Sequence, residues 1–149
     1  MYLVSSCLAG INCRYNGGNS EHKTIVELVN QGKAIPVCPE QLAGLSTPRS
    51  SCEIVVYENG DIKVISEDGQ DFTKQFIEGA KKTLAIVKAI GIKKAILKSK
   101  SPSCGCGLIY DGTFSGNLIK GNGLAAELLI KNNIEVYAEN NLDMLEDNN

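Results

Sequence analysis

Three short apolar stretches, each running into a loop that carries a cysteine, constrain this chain more than any other feature. Tyr2-Leu3-Val4-Ser5-Ser6 leads to Cys7 and is followed by Gly10 and the turn signal Asn16-Gly17-Gly18. Ala34-Ile35-Pro36-Val37 ends at Cys38-Pro39-Glu40. Residues 94–98 run into Ser99-Lys100-Ser101-Pro102-Ser103-Cys104-Gly105-Cys106-Gly107, a loop dense in turn formers. Short apolar runs bounded in this way suit buried strands, and helical patterns between them call for crossover connections and a parallel sheet.

The intervening segments supply those patterns. Ser20 is placed to cap a helix bearing Ile25, Val26, Leu28 and Val29, which Gly32 would end. From Asp71, read as an N-cap, Phe72, Phe76, Ile77, Ala80, Leu84, Val87 and Ile90 recur at helical spacing as far as Gly91. Residues 123–131 read as another helix and 134–137 as a last strand, which completes a second strand-helix-strand unit. Pro36 has no N–H for a ladder, so its strand belongs at an edge or ends there. Residues 54–57 and 62–65 flank Asn59-Gly60 and predict a small antiparallel hairpin. The expected fold class is α/β, a single domain over 1–149 with a mainly parallel sheet, flanking helices and a small inserted hairpin. The polar segment 139–149 is expected to fray.

Composition narrows the function. The 149 residues are 43% hydrophobic, enough for one ordinary core. Fifteen basic against 17 acidic residues give a net charge of −2 with no basic stripe, which argues against a nucleic-acid polymer as partner. No stretch reaches the roughly 18 apolar residues of a membrane span. The opening residues lack the basic region of a signal peptide, so a cytoplasmic location is expected. In a reducing compartment six cysteines read as thiols or metal ligands rather than disulfides.

Functional groups in open α/β sheets gather beyond the carboxyl ends of the strands. Parallel strands about 4.8 Å apart would bring Cys7, Cys38 and Cys104 to one site. Three thiolates suit zinc, copper(I) or an iron–sulfur cluster. The local C-x2-C pair common in closed zinc sites is absent, whereas three ligands beside an open position would suit a catalytic cluster. Cys13 and Cys52 read as small buried hydrophobes, with Cys52 away from the site. Cys106 could be an alternative ligand or a sulfur acceptor.

The stretches Ser6-Cys7-Leu8-Ala9-Gly10 with Cys13-Arg14-Tyr15-Asn16-Gly17, Pro36-Val37-Cys38-Pro39-Glu40 with Thr47-Pro48-Arg49, and Ser101-Pro102-Ser103-Cys104-Gly105 with Ile109-Tyr110-Asp111-Gly112 resemble the thiouracil desulfidase family. With Asp71-Phe72-Thr73 and 121–129 they span nearly the whole chain. The resemblance implies a small Rossmann-like domain with a four-iron, four-sulfur (4Fe-4S) cluster on Cys7, Cys38 and Cys104. It also implies non-redox removal of sulfur from a thiolated pyrimidine, a 2-thiouracil-like nucleobase or related thioamide, with water replacing sulfur and hydrogen sulfide released, aided by Glu40 and Ser101. Glu40 would activate water as general base, and Ser101 would hydrogen-bond substrate or relay a proton, unless it is only a turn former. A thiol redox protein using Cys104 and Cys106, and a non-catalytic metal- or sulfur-binding module, are the rival readings. Arg14 and Arg49 could anchor a substrate group but read first as partners of surface carboxylates, and Lys98 and Lys100 are equally open. His22 reads as solvated, and Gly121 with Gly123 as either an anion nest or a turn.

Overall fold

In the computed structural model, which describes residues 1–142, the apolar runs do become neighbouring strands. Strand β1 (Tyr2–Ser5) lies between β2 (Ala34–Val37) and β5 (Lys94–Leu97), and β8 (Glu135–Ala138) adds the far edge. All three pairings are parallel, with Val4 opposite both Pro36 and Ile96. Pro36 therefore sits on an edge strand, where its missing donor costs no ladder bond on the outer side.

Alternation along β1 divides the core in two. Leu3 packs on one face with Ala95, Leu97, Val87 of α3 (Thr73–Ile90) and Ala126 and Leu129 of α4 (Leu124–Lys131). Val4 packs on the other with Ile96, Leu8 and Ile25 of α1 (Lys23–Asn30). Helices thus cover both faces, as a parallel sheet requires. The expected hairpin forms from β3 (Cys52–Val56) and β4 (Ile62–Ser66).

Several boundaries differ from expectation for local reasons. His22, not Ser20, borders α1: the N–H groups of Ser20 and His22 bond to the carbonyls of Cys7 and Leu8, each at 2.9 Å, and the chain stays extended as far as His22. Phe72 borders α3, yet Asp71 still caps it by accepting the Thr73 N–H at 2.9 Å. A second hairpin, β6 (Leu108–Tyr110) with β7 (Leu118–Lys120), is missing from the sequence reading because its strands are only three residues long. Its Ile109 joins Ile54, Val64 and Phe76 in a third apolar cluster. The polar segment from residue 139 begins as a short 3₁₀ turn, Glu139–Asn141, rather than a frayed end, and residues 143–149 lie outside the described part.

Helix α2 (Pro39–Leu42) begins directly after Cys38 and lies against α3, where Gly79 permits close approach. A Cβ on Gly79 would stand 2.2 Å from the Pro39 carbonyl oxygen. Alanine at a helix interior normally gains about 1 kcal/mol over glycine. Here the clash reverses that sign. Gly79→Ala is expected to lower stability by about 1–3 kcal/mol, read as a lower urea midpoint at unchanged slope; a raised midpoint would show that α2 is free to move aside.

Candidate functional site

The carboxyl ends of β1, β2 and β5 open into a cavity of about 410 Å³. Cys7 enters it from the 3₁₀ turn Ser6–Ala9, Cys38 from the N-cap position of α2, and Cys104 from the loop after β5. Glu40 and Ser101 border the same cavity, so the five residues expected at one site are brought together.

The Cys104 loop is held by its own hydrogen bonds. Ser101 Oγ accepts the Cys104 N–H at 2.7 Å, and the Ser101 carbonyl accepts that of Gly105 at 2.9 Å. The carbonyls of Pro102 and Ser103 accept N–H groups of Leu124, Ala125 and Ala126, so the loop satisfies the first turn of α4. Gly123 makes room for this, since a Cβ there would lie 2.4 Å from the Ser103 carbonyl carbon. Gly123 is a seat for the cysteine loop, and the anion-nest reading fails because the amides are already used.

Cys13, Cys38 and Cys104 resist ionisation in the protein alone. Burial pushes Cys104 up to about 12, against the hydroxyls of Ser5 and Ser103, which favour its thiolate. Cys38 is raised well above the ordinary thiol range by its hydrogen bond with Cys13 and then by burial. For Cys13 the bond with Cys38 favours the thiolate, but the bond with Cys7 together with burial outweighs it and brings the pKa to about 11.

Two cysteines depart from expectation. Cys13 is not an isolated hydrophobe, because it lines the cavity within hydrogen-bonding reach of Cys7 and Cys38. Cys52 also lines the cavity, where the start of β3 brings it to the opposite wall. Cys106, by contrast, is absent from the lining, and its thiol donates to the Val136 carbonyl at 3.8 Å. Cys104 and Cys106 therefore face different surroundings. All six cysteines are free. Among the described residues no three His, Cys, Asp or Glu side chains are grouped closely enough to hold a single metal ion.

Glu40, in the first turn of α2, is gripped at both oxygens. Arg49 Nε donates to Oε1 at 3.3 Å and Ser103 Oγ to Oε2 at 2.9 Å. Arg49 also donates to the carbonyls of Cys13 (2.9 Å) and Ser46 (3.0 Å) and to Thr47 Oγ1 (3.1 Å). Its side chain is only 9% exposed, so its carboxylate partner is an interior one rather than a surface one. Opposite, Lys98 Nζ pairs with Glu139 at 3.1 Å, while Ser99 donates to Glu139 through both its amide and its hydroxyl. Arg14 and Lys100 line the cavity, and Arg14 lies over the Tyr15 ring, 5.7 Å from its centroid. His22 is partly buried with an unpartnered Nδ1, away from the cavity.

The family model described as 2-thiouracil desulfurase matches residues 2–141. The chain belongs to this family. The uncharacterized protein YbbK of Bacillus subtilis (strain 168) is 48% identical over 148 residues, covering 96% of this chain and 98% of that relative. A solved structure titled as the 4Fe-4S-dependent thiouracil desulfidase TudS is similar with a TM-score of 0.87 at 37% identity, over 97% of this chain and 94% of that one. The shared fold extends to the whole described sheet.

Within this family framework the sequence reading missed Ser103 and the destination of Arg49. Both were accessible in principle, since a carboxylate two residues past a half-buried cysteine at a strand end needs a cation and a donor nearby. Arg49→Met, which leaves Glu40, with only 16% of its side chain exposed, without its cation, is expected to cost about 1–3 kcal/mol in urea unfolding. The double variant with Glu40→Gln should recover much of that loss. Glu139 supplies a pH test: burial opposes its charge, but Ser99 and Lys98 outweigh burial and hold the carboxyl below its usual value. Its contribution is therefore full above the unfolded carboxyl pKa of about 4.3 and is lost as pH falls through the lower folded value. The drop in melting temperature from pH 7 to pH 3.5 should be smaller in Glu139→Gln than in the parent.

Proposed function

We propose that this protein is an iron–sulfur desulfidase that exchanges the sulfur of a thiolated nucleobase, 2-thiouracil-like or a related thioamide, for the oxygen of water and releases hydrogen sulfide. The reading is carried by one observation: Cys7, Cys38 and Cys104 line a single cavity together with Glu40 and Ser101. The donor set fits a 4Fe-4S cluster in kind, since thiolates are the ligands such clusters take and each attaches to a different iron, which a grouping too open for a single ion allows. Cys7, Cys38 and Cys104 would hold it, with Cys13 a neighbour in the same cavity. Bound there with one iron free of protein ligands, the cluster would supply a soft Lewis acid for thiocarbonyl sulfur.

The remaining work belongs to the side chains. Glu40 takes a proton from the attacking water, with Arg49 and Ser103 fixing the direction of its oxygens and leaving further lone pairs for the water. Ser101 accepts the Cys104 amide and lies 3.4 Å from Ser103 Oγ, and its hydroxyl hydrogen turns from Ser103 to the substrate when one binds. The thiocarbonyl compound and water become the oxo compound and hydrogen sulfide, with no net redox change. We further propose that 1–149 acts as one unit in the cytoplasm, where free thiols persist. No helix among the described residues is long and apolar enough to cross a membrane. The redox alternative has no support from the placement of Cys106.

Anaerobic reconstitution followed by visible absorption, iron and sulfide assays tests the ligands. Cys7→Ala, Cys38→Ala and Cys104→Ala should each lose the absorption, while Cys13→Ala, Cys52→Ala and Cys106→Ala keep it. Loss in Cys13→Ala would make it a fourth ligand and remove the open position. Glu40→Gln should keep the absorption and lose about 10²- to 10⁴-fold in turnover; unchanged turnover would reject Glu40 as the base.

A further inference from the structure

Glu53 is a charged residue set inside an apolar strand, between Cys52 and Ile54, and it is only 9% exposed. A carboxylate that far from water ordinarily has a cation beside it. Among the described residues Glu53 makes no ion pair. It has instead two backbone donors on a single oxygen: Oε1 accepts the Gly112 N–H at 3.0 Å and the Phe114 N–H at 3.1 Å. Its other oxygen, Oε2, accepts no hydrogen bond from the described residues, and the residue lines the same cavity as the cysteines. A half-satisfied buried carboxylate facing a cavity is an acceptor waiting for a donor.

The surroundings indicate the shape of what supplies that donor. Tyr110 and Phe114, at the end of β6 and in the loop beyond it, line the cavity next to Glu53. Phe114 has a left-handed backbone, with φ of 57°, and the Glu53 carboxylate holds its amide. Gly112 lets this loop press on β3, since a Cβ there would lie 2.8 Å from the Ile54 carbonyl oxygen. One carboxylate thus fixes the loop that carries an aromatic side chain and keeps an acceptor beside that side chain. Aromatic faces take flat rings, and an acceptor takes an N–H at the ring's edge.

We propose that Glu53 is a specificity-determining residue: Oε2 accepts a ring N–H of the bound thiolated heterocycle while Tyr110 and Phe114 form the wall against its plane. This rests on the desulfidase reading and narrows it to cyclic thioamides that carry a free ring N–H. Open-chain thioamides and rings alkylated at that nitrogen would bind poorly, because the methyl group removes the donor and leaves Oε2 desolvated.

The test uses the reconstituted holoprotein and Glu53→Gln, with 2-thiouracil and its N1-methyl and N3-methyl derivatives as probes. Glutamine keeps the length and one oxygen for the Gly112 and Phe114 amides, but it turns the cavity-facing acceptor into a donor. Visible absorption, iron content and melting temperature should match the parent protein. In the wild type, methylation at one of the two nitrogens should raise KM about 10- to 100-fold. Glu53→Gln should raise KM for 2-thiouracil by a similar factor with kcat nearly unchanged, and the damaging methyl group should carry no further penalty in the variant. Unchanged KM in Glu53→Gln, or the same methyl penalty in both proteins, overturns the assignment. Wild-type protein indifferent to both methylations overturns it whatever the variant does. If the wild type releases no sulfide, equilibrium dialysis separates the two levels. Binding of 2-thiouracil that Glu53→Gln abolishes rejects desulfuration and keeps the recognition, and no binding by the wild type rejects both.

Discussion

The parallel pairing of β2, β1 and β5 is the constraint on which everything else depends. Strands that share a direction end on the same side, so residues 7, 38 and 104 meet without any local sequence motif joining them. Had β1 paired antiparallel with either neighbour, one of the three cysteines would lie at the opposite end of the sheet. The ends are also tied together beyond the ladder: Ser5 Oγ, at the last residue of β1, accepts the Lys98 N–H just past β5 at 2.9 Å. The sheet places the thiols, and the loop bonds aim them.

The cavity holds two carboxylates, one buried and one half-buried, and the protein treats them differently. Glu40 is held by a guanidinium on one oxygen and a hydroxyl on the other, so its position is fixed from both sides. Glu53 is held by two amides on one oxygen only. A fully gripped carboxylate is suited to acting on something small that arrives at a defined spot, such as water. A half-gripped one is suited to gripping something itself. The thiols differ too: Cys38 Sγ reaches the Cys13 carbonyl at 4.0 Å, while Ser103 Oγ lies 3.6 Å from Cys104 Sγ. Arg49 joins these systems by contacting the Cys13 carbonyl as well as Glu40, so the loop after β1 and the start of α2 share one buried cation.

Much of this was legible in the chain itself. The apolar runs before Cys7, Cys38 and Cys104 announced strands, Pro36 announced an edge, and Asn59-Gly60 announced a hairpin, because each rests on a short-range rule of backbone sterics or hydrogen bonding. What was not legible depends on contacts between distant residues. Cys13 looked like a small hydrophobe because nothing local reveals that its loop folds back on Cys38. Cys52 reached the cavity because the β3–β4 hairpin packs beside the sheet's end, a placement periodicity does not encode. The β6–β7 hairpin is too short to show alternation, and with it went the loop that Glu53 holds. Gly123 looked like a possible anion site until the Ser103 carbonyl was seen to occupy the space.

The contacts that build the cavity also have a consequence for the order of events in making the protein. Glu40 meets Ser103 across 63 residues of sequence, Glu53 meets Gly112 across 59, and Ser5 meets Lys98 across 93. Contacts of such long range form late in folding, after the chain has closed its large loops. During synthesis, which proceeds from the amino terminus, Cys7 and Cys38 emerge long before the residues that complete their site. The second half of the sheet, the cysteine loop and its seat on α4 all come from residue 94 onward. A nascent chain therefore displays two thiols with no cavity around them, and the cavity is completed only after nearly the whole polypeptide has left the ribosome.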